Sequence, residues 1–317
     1  MKKSIDELIS LKKILVLDGA LATELERAGK NINDSLWSTK ILIEDSEAIK
    51  KVHLSYLEAG CDIILTSSYQ TTIKGLMKRG YTKDEAIEII KKSFRIANEA
   101  KEEYLLKNSV EVEPIIGASI GPYGAFLSDG SEYTGNYEVL DSEMRDFHYE
   151  KIKILKDEGV ELFACETIPS FREALVIQKI CEELEVEYYI SFSAKDEYSI
   201  SDGTSIRECA GNLNGKYLKG IGINCTAPEF LESLIREIKS VYNGNIVVYP
   251  NSGEIFDPVS KTWSGNGQCV FDLAENWIRA GANIIGGCCK TTPQDIKKLA
   301  DSIKNKKIKN LLTSIAL

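Results

Sequence analysis

Two adjacent cysteines close the apolar run Ile284-Ile285-Gly286-Gly287-Cys288-Cys289, and a third, Cys225, closes a similar run, Ile221-Gly222-Ile223-Asn224-Cys225. Thiolates select zinc, copper(I) or iron–sulfur centres. The chain has no CxxCxxC-type spacing, which argues against a cluster, so Zn2+ is the expected cofactor. Three protein ligands leave one position of a tetrahedral ion open for a substrate. A zinc ion that already carries three thiolates is a poor Lewis acid for water, because sulfur supplies so much negative charge. It suits a substrate thiol instead, since coordination removes the thiol proton and leaves the reactive thiolate. The residues alone therefore point to alkyl transfer onto a thiol. The two histidines, His53 and His148, both fall in segments of helical pattern, and no HxH or HExxH motif occurs. A histidine-rich hydrolytic site is thereby excluded.

Cys225 lies far in sequence from Cys288 and Cys289, so the three converge only if two strands aim their ends at one centre. Apolar runs rich in β-branched residues recur eight times, at residues 14–17, 62–66, 115–120, 161–165, 188–193, 220–224, 246–249 and 283–287. Between them the apolar spacing is helical. It is clearest over 82–106, where Ile87, Ile90, Phe94, Ala97 and Leu105 are expected on one buried face. Further helices are expected from near Ser142, Ser170, Pro228, Gln268 and Pro293. Thr82 with Glu85 spells a capping box, Thr292-Pro293 an N-cap followed by a first-turn proline, and Gly60, Gly159 and Gly281 sit where helices end in a left-handed residue. Eight strand–helix units predict an α/β fold, a single-domain (β/α)8 TIM barrel over residues 1–317, with a doubly wound open sheet as the alternative. The long connections 30–45, 121–141 and 251–267 would then lie on the C-terminal face, where barrel active sites are built. Gly286 and Gly287 are expected to permit a sharp turn that brings two sulfurs to one point.

A chain of 317 residues, 43% hydrophobic, has ample material for such a core. Its net charge of −9 argues against a nucleic-acid partner. No apolar run reaches the length of a membrane span. Residues 1–20 scatter Lys, Asp and Glu among apolar residues, unlike a secretory signal. A cytoplasmic setting with reduced thiols is expected for the eight cysteines. Cys61, Cys165, Cys181, Cys209 and Cys269 read as small buried hydrophobes. The stretch 304–317, basic and then apolar, reads as a last helix or tail packed on the body.

Other polar residues gather at the expected strand ends. An amino-acid thiol needs an acceptor for its ammonium group, and Glu166 in Cys165-Glu166-Thr167 would serve; a helix cap is the competing reading. Backbone N–H groups around Asp18-Gly19-Ala20, at a helix start, would receive its carboxylate. Trp37, Tyr69, Tyr123 and Phe126 are candidates for an aromatic wall around a cationic methyl donor, with plain packing as the alternative for each.

These stretches together resemble the homocysteine S-methyltransferase family, in its S-methylmethionine- or S-adenosylmethionine-dependent branch. The matching residues include Leu17-Asp18-Gly19-Ala20, Ser68-Tyr69-Gln70, Gly121-Pro122-Tyr123-Gly124-Ala125, Ser128-Asp129-Gly130-Ser131-Glu132-Tyr133, Cys165-Glu166-Thr167-Ile168-Pro169-Ser170, Gly222-Ile223-Asn224-Cys225-Thr226, Tyr249-Pro250-Asn251-Ser252-Gly253-Glu254 and Gly286-Gly287-Cys288-Cys289, spread over almost the whole chain. The resemblance implies a (β/α)8 barrel with one zinc on Cys225, Cys288 and Cys289. It places Glu166 at the homocysteine amino group, and Asp18 and Gly19 against the same substrate. Tyr69 falls where a betaine-using branch has a tyrosine near its donor, and Asn224, beside Cys225, is taken as a substrate contact. The implied reaction is methyl transfer from a sulfonium donor to homocysteine, giving methionine. Two alternatives stand beside it: another thiol or selenol acceptor such as selenocysteine, and a non-catalytic zinc-binding or redox-sensing barrel. The implied partners are small molecules, and no oligomeric state is set.

Overall fold

The computed structural model describes residues 4–304 apart from 33, 35, 258–261 and 266–269. The expected helix start at Gln268, the structural reading of Cys269 and nearly all of the 304–317 tail lie outside these residues. Seven strands appear in turn: β1 (Leu15–Val16), β2 (Ile63–Leu65), β3 (Ile115–Ile120), β4 (Leu162–Ile168), β5 (Glu187–Phe192), β6 (Leu218–Asn224) and β7 (Asn245–Tyr249). An antiparallel hairpin follows, β8 (Ile255–Asp257) with β9 (Thr262–Ser264), and then β10 (Ile284–Ile285). Apart from the hairpin, all pair in parallel in the order β1-β10-β7-β6-β5-β4-β3-β2. A parallel bridge between Leu17 and Ile63 closes the ring, reinforced by Asp62 N–H donating to Val16 O at 2.7 Å and Asp18 N–H to Ile63 O at 3.0 Å. Each of the eight expected strands is present, and the open sheet is excluded.

Closure follows from strand parity. Side chains alternate across a strand, so one set fills the barrel and the other packs on the surrounding helices. Leu15, Leu17, Leu162, Ala164, Tyr189, Val247, Tyr249 and Ile284 form the inner cluster. Val16, Phe163, Cys165, Ile190, Ile221, Ile223, Ile246, Val248 and Ile285 join the outer one. Cys61, Cys165, Cys181 and Cys209 are buried and free, as read from the sequence.

The inner cluster also contains Ile5 and Leu8. They lie on a helix the sequence reading missed, Ile5–Lys12, which opens with a capping box between Ser4 and Glu7. This helix covers the barrel floor with Ile5 and Leu8. Other local signals hold. Thr82 caps the helix Lys83–Lys107 reciprocally with Glu85. Gly60, Gly159 and Gly281 take φ of 101°, 100° and 126°. The buried stripe of Lys83–Lys107 is Ala86, Ile90, Ser93, Ile96, Ala97 and Ala100, rotated from the expected face. Small residues make up four of its six positions, and the larger Ile87 and Phe94 are half-buried. Trp277 is buried in the outer core. No helix among the described residues is long and apolar enough to cross a membrane.

Candidate metal centre and substrate mouth

Cys225 follows β6, and Cys288 and Cys289 follow β10. Their sulfurs all lie within 4.8 Å of one another, with Cys225 Sγ and Cys289 Sγ 3.9 Å apart. Sulfurs at ~2.3 Å from a tetrahedral zinc are roughly 3.8 Å apart, so the cluster fits such an ion after small adjustments. The backbone fixes it from several strands. Cys288 N–H donates to Pro250 O at 2.7 Å, Ser252 N–H to Cys289 O at 3.0 Å, Cys225 N–H to Tyr249 O at 3.2 Å and Gly287 N–H to Asp18 O at 2.9 Å.

The paired glycines do not act by left-handed backbone as expected. The positive φ values fall instead on Cys225 (49°) and Lys290 (66°). Gly286 is needed for close approach: a Cβ there would sit 2.6 Å from Leu17 Cβ and 2.7 Å from Asp18 O. The end of β10 can thus press against the end of β1 only without a side chain at that point.

The thiols are electrostatically matched to a cation. Hydrogen bonds from Cys225 and then Cys288 hold the Cys289 thiol well below its usual range. Cys225 is raised because its own hydrogen bonds with Cys288 and Cys289 favour the protonated form, with burial adding to the effect.

Glu166 shares inward parity with Leu162 and Ala164, one step nearer the mouth. It is 8% exposed and its Oε1 accepts a short hydrogen bond from Ser119 Oγ. Burial pushes its carboxyl up to about 7, against the opposing effect of Ser119; the Cys288 thiol raises it further and Lys151 lowers it. Asp18 is raised well above the carboxylate range, by burial first, although Leu65 N–H donates to its Oδ2 at 2.8 Å. That bond ties the end of strand one to β2. The Asp18 N–H is taken by Ile63 O, so of the expected Asp18-Gly19-Ala20 donors this one is not free for a ligand carboxylate. Gly19 packs where a Cβ would meet the Tyr56 hydroxyl and Thr291 Oγ1, each at 2.9 Å.

Tyr69 lies over Gly121, whose missing side chain makes room for the ring, and meets Trp37 edge-on at 5.9 Å. Burial, and then the Cys225 thiol, raise its hydroxyl well above the phenol range. The expected four-residue aromatic wall is divided. Tyr123 and Phe126 pack with Phe147 at 4.9 and 5.5 Å, and Tyr123 OH donates to Glu143 at 3.0 Å. Asn224 is fully buried. Its Oδ1 accepts from Thr167 N–H at 2.7 Å and Ser191 Oγ at 2.8 Å, and its Nδ2 donates to Thr167 Oγ1 at 2.6 Å.

Three residues without an assigned role in the sequence reading also shape the mouth. Lys151, 3% exposed on the helix Asp141–Asp157, donates to Ser68 O at 2.5 Å and Tyr69 O at 3.3 Å. It holds the Tyr69 segment, and burial lowers its amine to about 7. Glu173, fully buried, accepts from Tyr123 N–H at 2.6 Å and from Tyr137 OH, and pairs with His148 Nε2 at 2.7 Å, so it clamps both ends of the 121–141 connection. Tyr133, on the short turn Ser131–Tyr133, has its hydroxyl raised first by burial and then by Cys225, Cys289 and Cys288. The loop after β3 thus lies near enough to the thiols for their charge to act on Tyr133. A long loop in one sequence gives no register from which such contacts can be read.

A family model described as homocysteine S-methyltransferase matches residues 15–303. A Bacillus subtilis protein named homocysteine S-methyltransferase YbgG is 47% identical over 304 residues, covering 93% of this chain and 96% of its own length. A Brassica oleracea protein named selenocysteine Se-methyltransferase is 40% identical over 301 residues, covering 90% and 87%. The crystal structure of the homocysteine methyltransferase MmuM from Escherichia coli in its metallated form superposes with a TM-score of 0.86 at 37% identity, covering 93% of this chain and 98% of that one.

Proposed function

The chain belongs to the homocysteine S-methyltransferase family, and from that premise we propose that it moves a methyl group from a sulfonium donor, S-methylmethionine or S-adenosylmethionine, to the sulfur of L-homocysteine, giving methionine. The observation that carries this reading is the convergence of Cys225, Cys288 and Cys289 at the ends of two strands, sulfurs within 4.8 Å, in one mouth with the buried Glu166. The donor set suits zinc, and the metallated form of a structural relative supports a metal there. Bound zinc would hold the acceptor sulfur as a thiolate at its open position.

The protein's own groups then do the positioning. Glu166 receives the acceptor's ammonium group, and that partner compensates the desolvation that otherwise keeps its carboxyl near 7. Asp18 and Gly19 shape the floor beneath the same end. Tyr69 and Trp37 present ring faces and edges to the donor side, where a sulfonium cation gains from an aromatic neighbour. The reaction breaks a methyl–sulfur bond of the donor, which leaves as a neutral thioether, and forms the methyl–sulfur bond of methionine; the thiol proton goes to solvent. Held in line, the two sulfurs need only a short approach. Reduced thiols suit a cytoplasmic setting.

The test is methionine formation by reduced, zinc-loaded protein with S-methylmethionine, S-adenosylmethionine and betaine compared side by side. Turnover with a sulfonium donor is the expected result and names the donor. Bound zinc with no turnover from any donor would refute the reading. The selenocysteine-named relative makes selenocysteine the competing acceptor to include in the same assay.

A further inference from the structure

β4 gains a residue just where it meets the mouth. Cys165 pairs with Ile190 on β5, but the next pair is Ile168 with Phe192, three steps along one strand against two along the other. Such a bulge re-aims side chains and is common beside active sites. Here parity places Glu166 inward, the inserted Thr167 turns toward β6, and Ile168 returns to the outer core. Thr167 holds φ at 57°, an outlier for a β-branched residue. Strain of this kind persists only where the surroundings over-determine it. The chief brace is one side chain, with Tyr69 also bonding Thr167: Asn224 accepts from the Thr167 N–H at 2.7 Å, donates to Thr167 Oγ1 at 2.6 Å and is itself oriented by Ser191 Oγ at 2.8 Å. The residue after Asn224 is Cys225, whose φ is also positive at 49°. One amide therefore stitches the residue that follows Glu166 to the residue that precedes a thiol of the metal cluster.

We propose that the Asn224–Thr167 brace is the acceptor-length ruler of the site: by fixing the carboxylate of Glu166 relative to the sulfur of Cys225, it selects amino-acid thiols whose sulfur and ammonium are separated as in homocysteine over shorter ones such as cysteine. This rests on the reaction proposed above for the identity of the two anchors. A ligand held at both ends cannot slide to relieve a misfit of about one methylene, and a misplacement near 1 Å at a reacting centre costs on the order of a hundredfold. If either anchor can shift, the longer ligand loses its advantage and the shorter one is tolerated. Asn224 and Thr167 act through their neighbours, so both are positioning residues.

The test is calorimetric titration of L-homocysteine and L-cysteine into reduced, zinc-loaded protein, with zinc content measured on the same samples, for wild type, Thr167→Ala and Asn224→Ala. Wild type should favour homocysteine by about tenfold or more, the scale of one methylene in a fitted site. Thr167→Ala removes one of the two bonds between the pair and should narrow that ratio roughly threefold to tenfold, the range of a buried neutral hydrogen bond. Asn224→Ala should bring it close to unity with zinc retained. Equal weakening of both ligands with the ratio intact would mean a merely structural role and overturn the ruler, as would a wild type that binds both equally. Where Asn224→Ala does not fold, Thr167→Ala decides by the same criterion. A narrowed ratio in a protein that transfers no methyl group would sink the proposed reaction and leave the ruler standing, so the two failures are distinguishable.

Discussion

Replacing Glu166 with Gln should make the protein more stable and worse at holding its acceptor, and the pH dependence of the first effect separates it from trivial causes. Burial raises the Glu166 carboxyl from 4.5 to about 7 in the ligand-free site. The folded state therefore binds more protons than the unfolded state between those values, and stability falls as pH rises through that window. Linkage with these two values gives a destabilisation of about 1 kcal/mol near pH 5 and about 3 kcal/mol near pH 8. Glu166→Gln keeps an acceptor for Ser119 Oγ and removes the charge. Its stability advantage over wild type should thus widen by about 2 kcal/mol from pH 5 to pH 8, a difference in Tm of roughly 3 °C for a chain of 317 residues. Thermal unfolding of the metal-free, reduced proteins across that range reads it directly. In the zinc-loaded proteins, homocysteine should bind roughly tenfold to a hundredfold more weakly to the variant, the scale of a charge-assisted hydrogen bond, with zinc content unchanged. A Tm gap that does not widen with pH would refute the desolvation argument. Undiminished homocysteine affinity would remove Glu166 from its assigned role.

Cys288→Ser should abolish tight zinc binding and turnover together, because a hydroxyl does not supply the anionic sulfur donor the site is built around; a zinc-free variant with wild-type turnover would end the proposed mechanism. Gly286→Ala should destabilise the fold by about 1–3 kcal/mol, since its Cβ would fall 2.6 Å from Leu17 Cβ, and should weaken zinc binding as the strand carrying Cys288 is pushed off strand one. Denaturant unfolding and metal titration check both, and a variant with unchanged stability would show that the contact relaxes at no cost.

The barrel was legible because its signal is repeated: eight apolar runs separated by helical spacing leave few other closures, and each barrel strand overlaps an expected one, while the hairpin Ile255–Asp257 with Thr262–Ser264 lies in a segment read as a connection. The thiol trio was legible because residue type carries it. What the sequence did not reveal was geometry that depends on neighbours. Gly286 looked like a turn residue, yet its φ is ordinary and its role is the contact with Leu17. The helix Ile5–Lys12 is too short to show much period, and its two buried residues matter because of where the barrel floor is. Tyr123 and Phe126 shared a motif with the mouth but face Phe147. Lys151 and Glu173 belong to no motif, and only the fold shows each buried against the backbone of a mouth loop.

The charges of the mouth also say what it is for. Asp18 and Glu166 are both held above their usual range by desolvation, and two of the three thiols resist ionisation next to the third. Lys151, which bonds the Ser68 and Tyr69 carbonyls, has its amine lowered to about 7 and offers only part of a compensating charge. The protein's own groups thus leave the mouth short of positive charge at two separate places, the sulfur cluster and the carboxylates. A divalent metal relieves the first and an ammonium group the second. Each ligand should therefore bind more tightly as pH rises until its protein partners are ionised, and acid should weaken both, homocysteine losing its Glu166 partner as pH falls below about 7. A homocysteine affinity that strengthened on acidification below that value would contradict this assignment of charge.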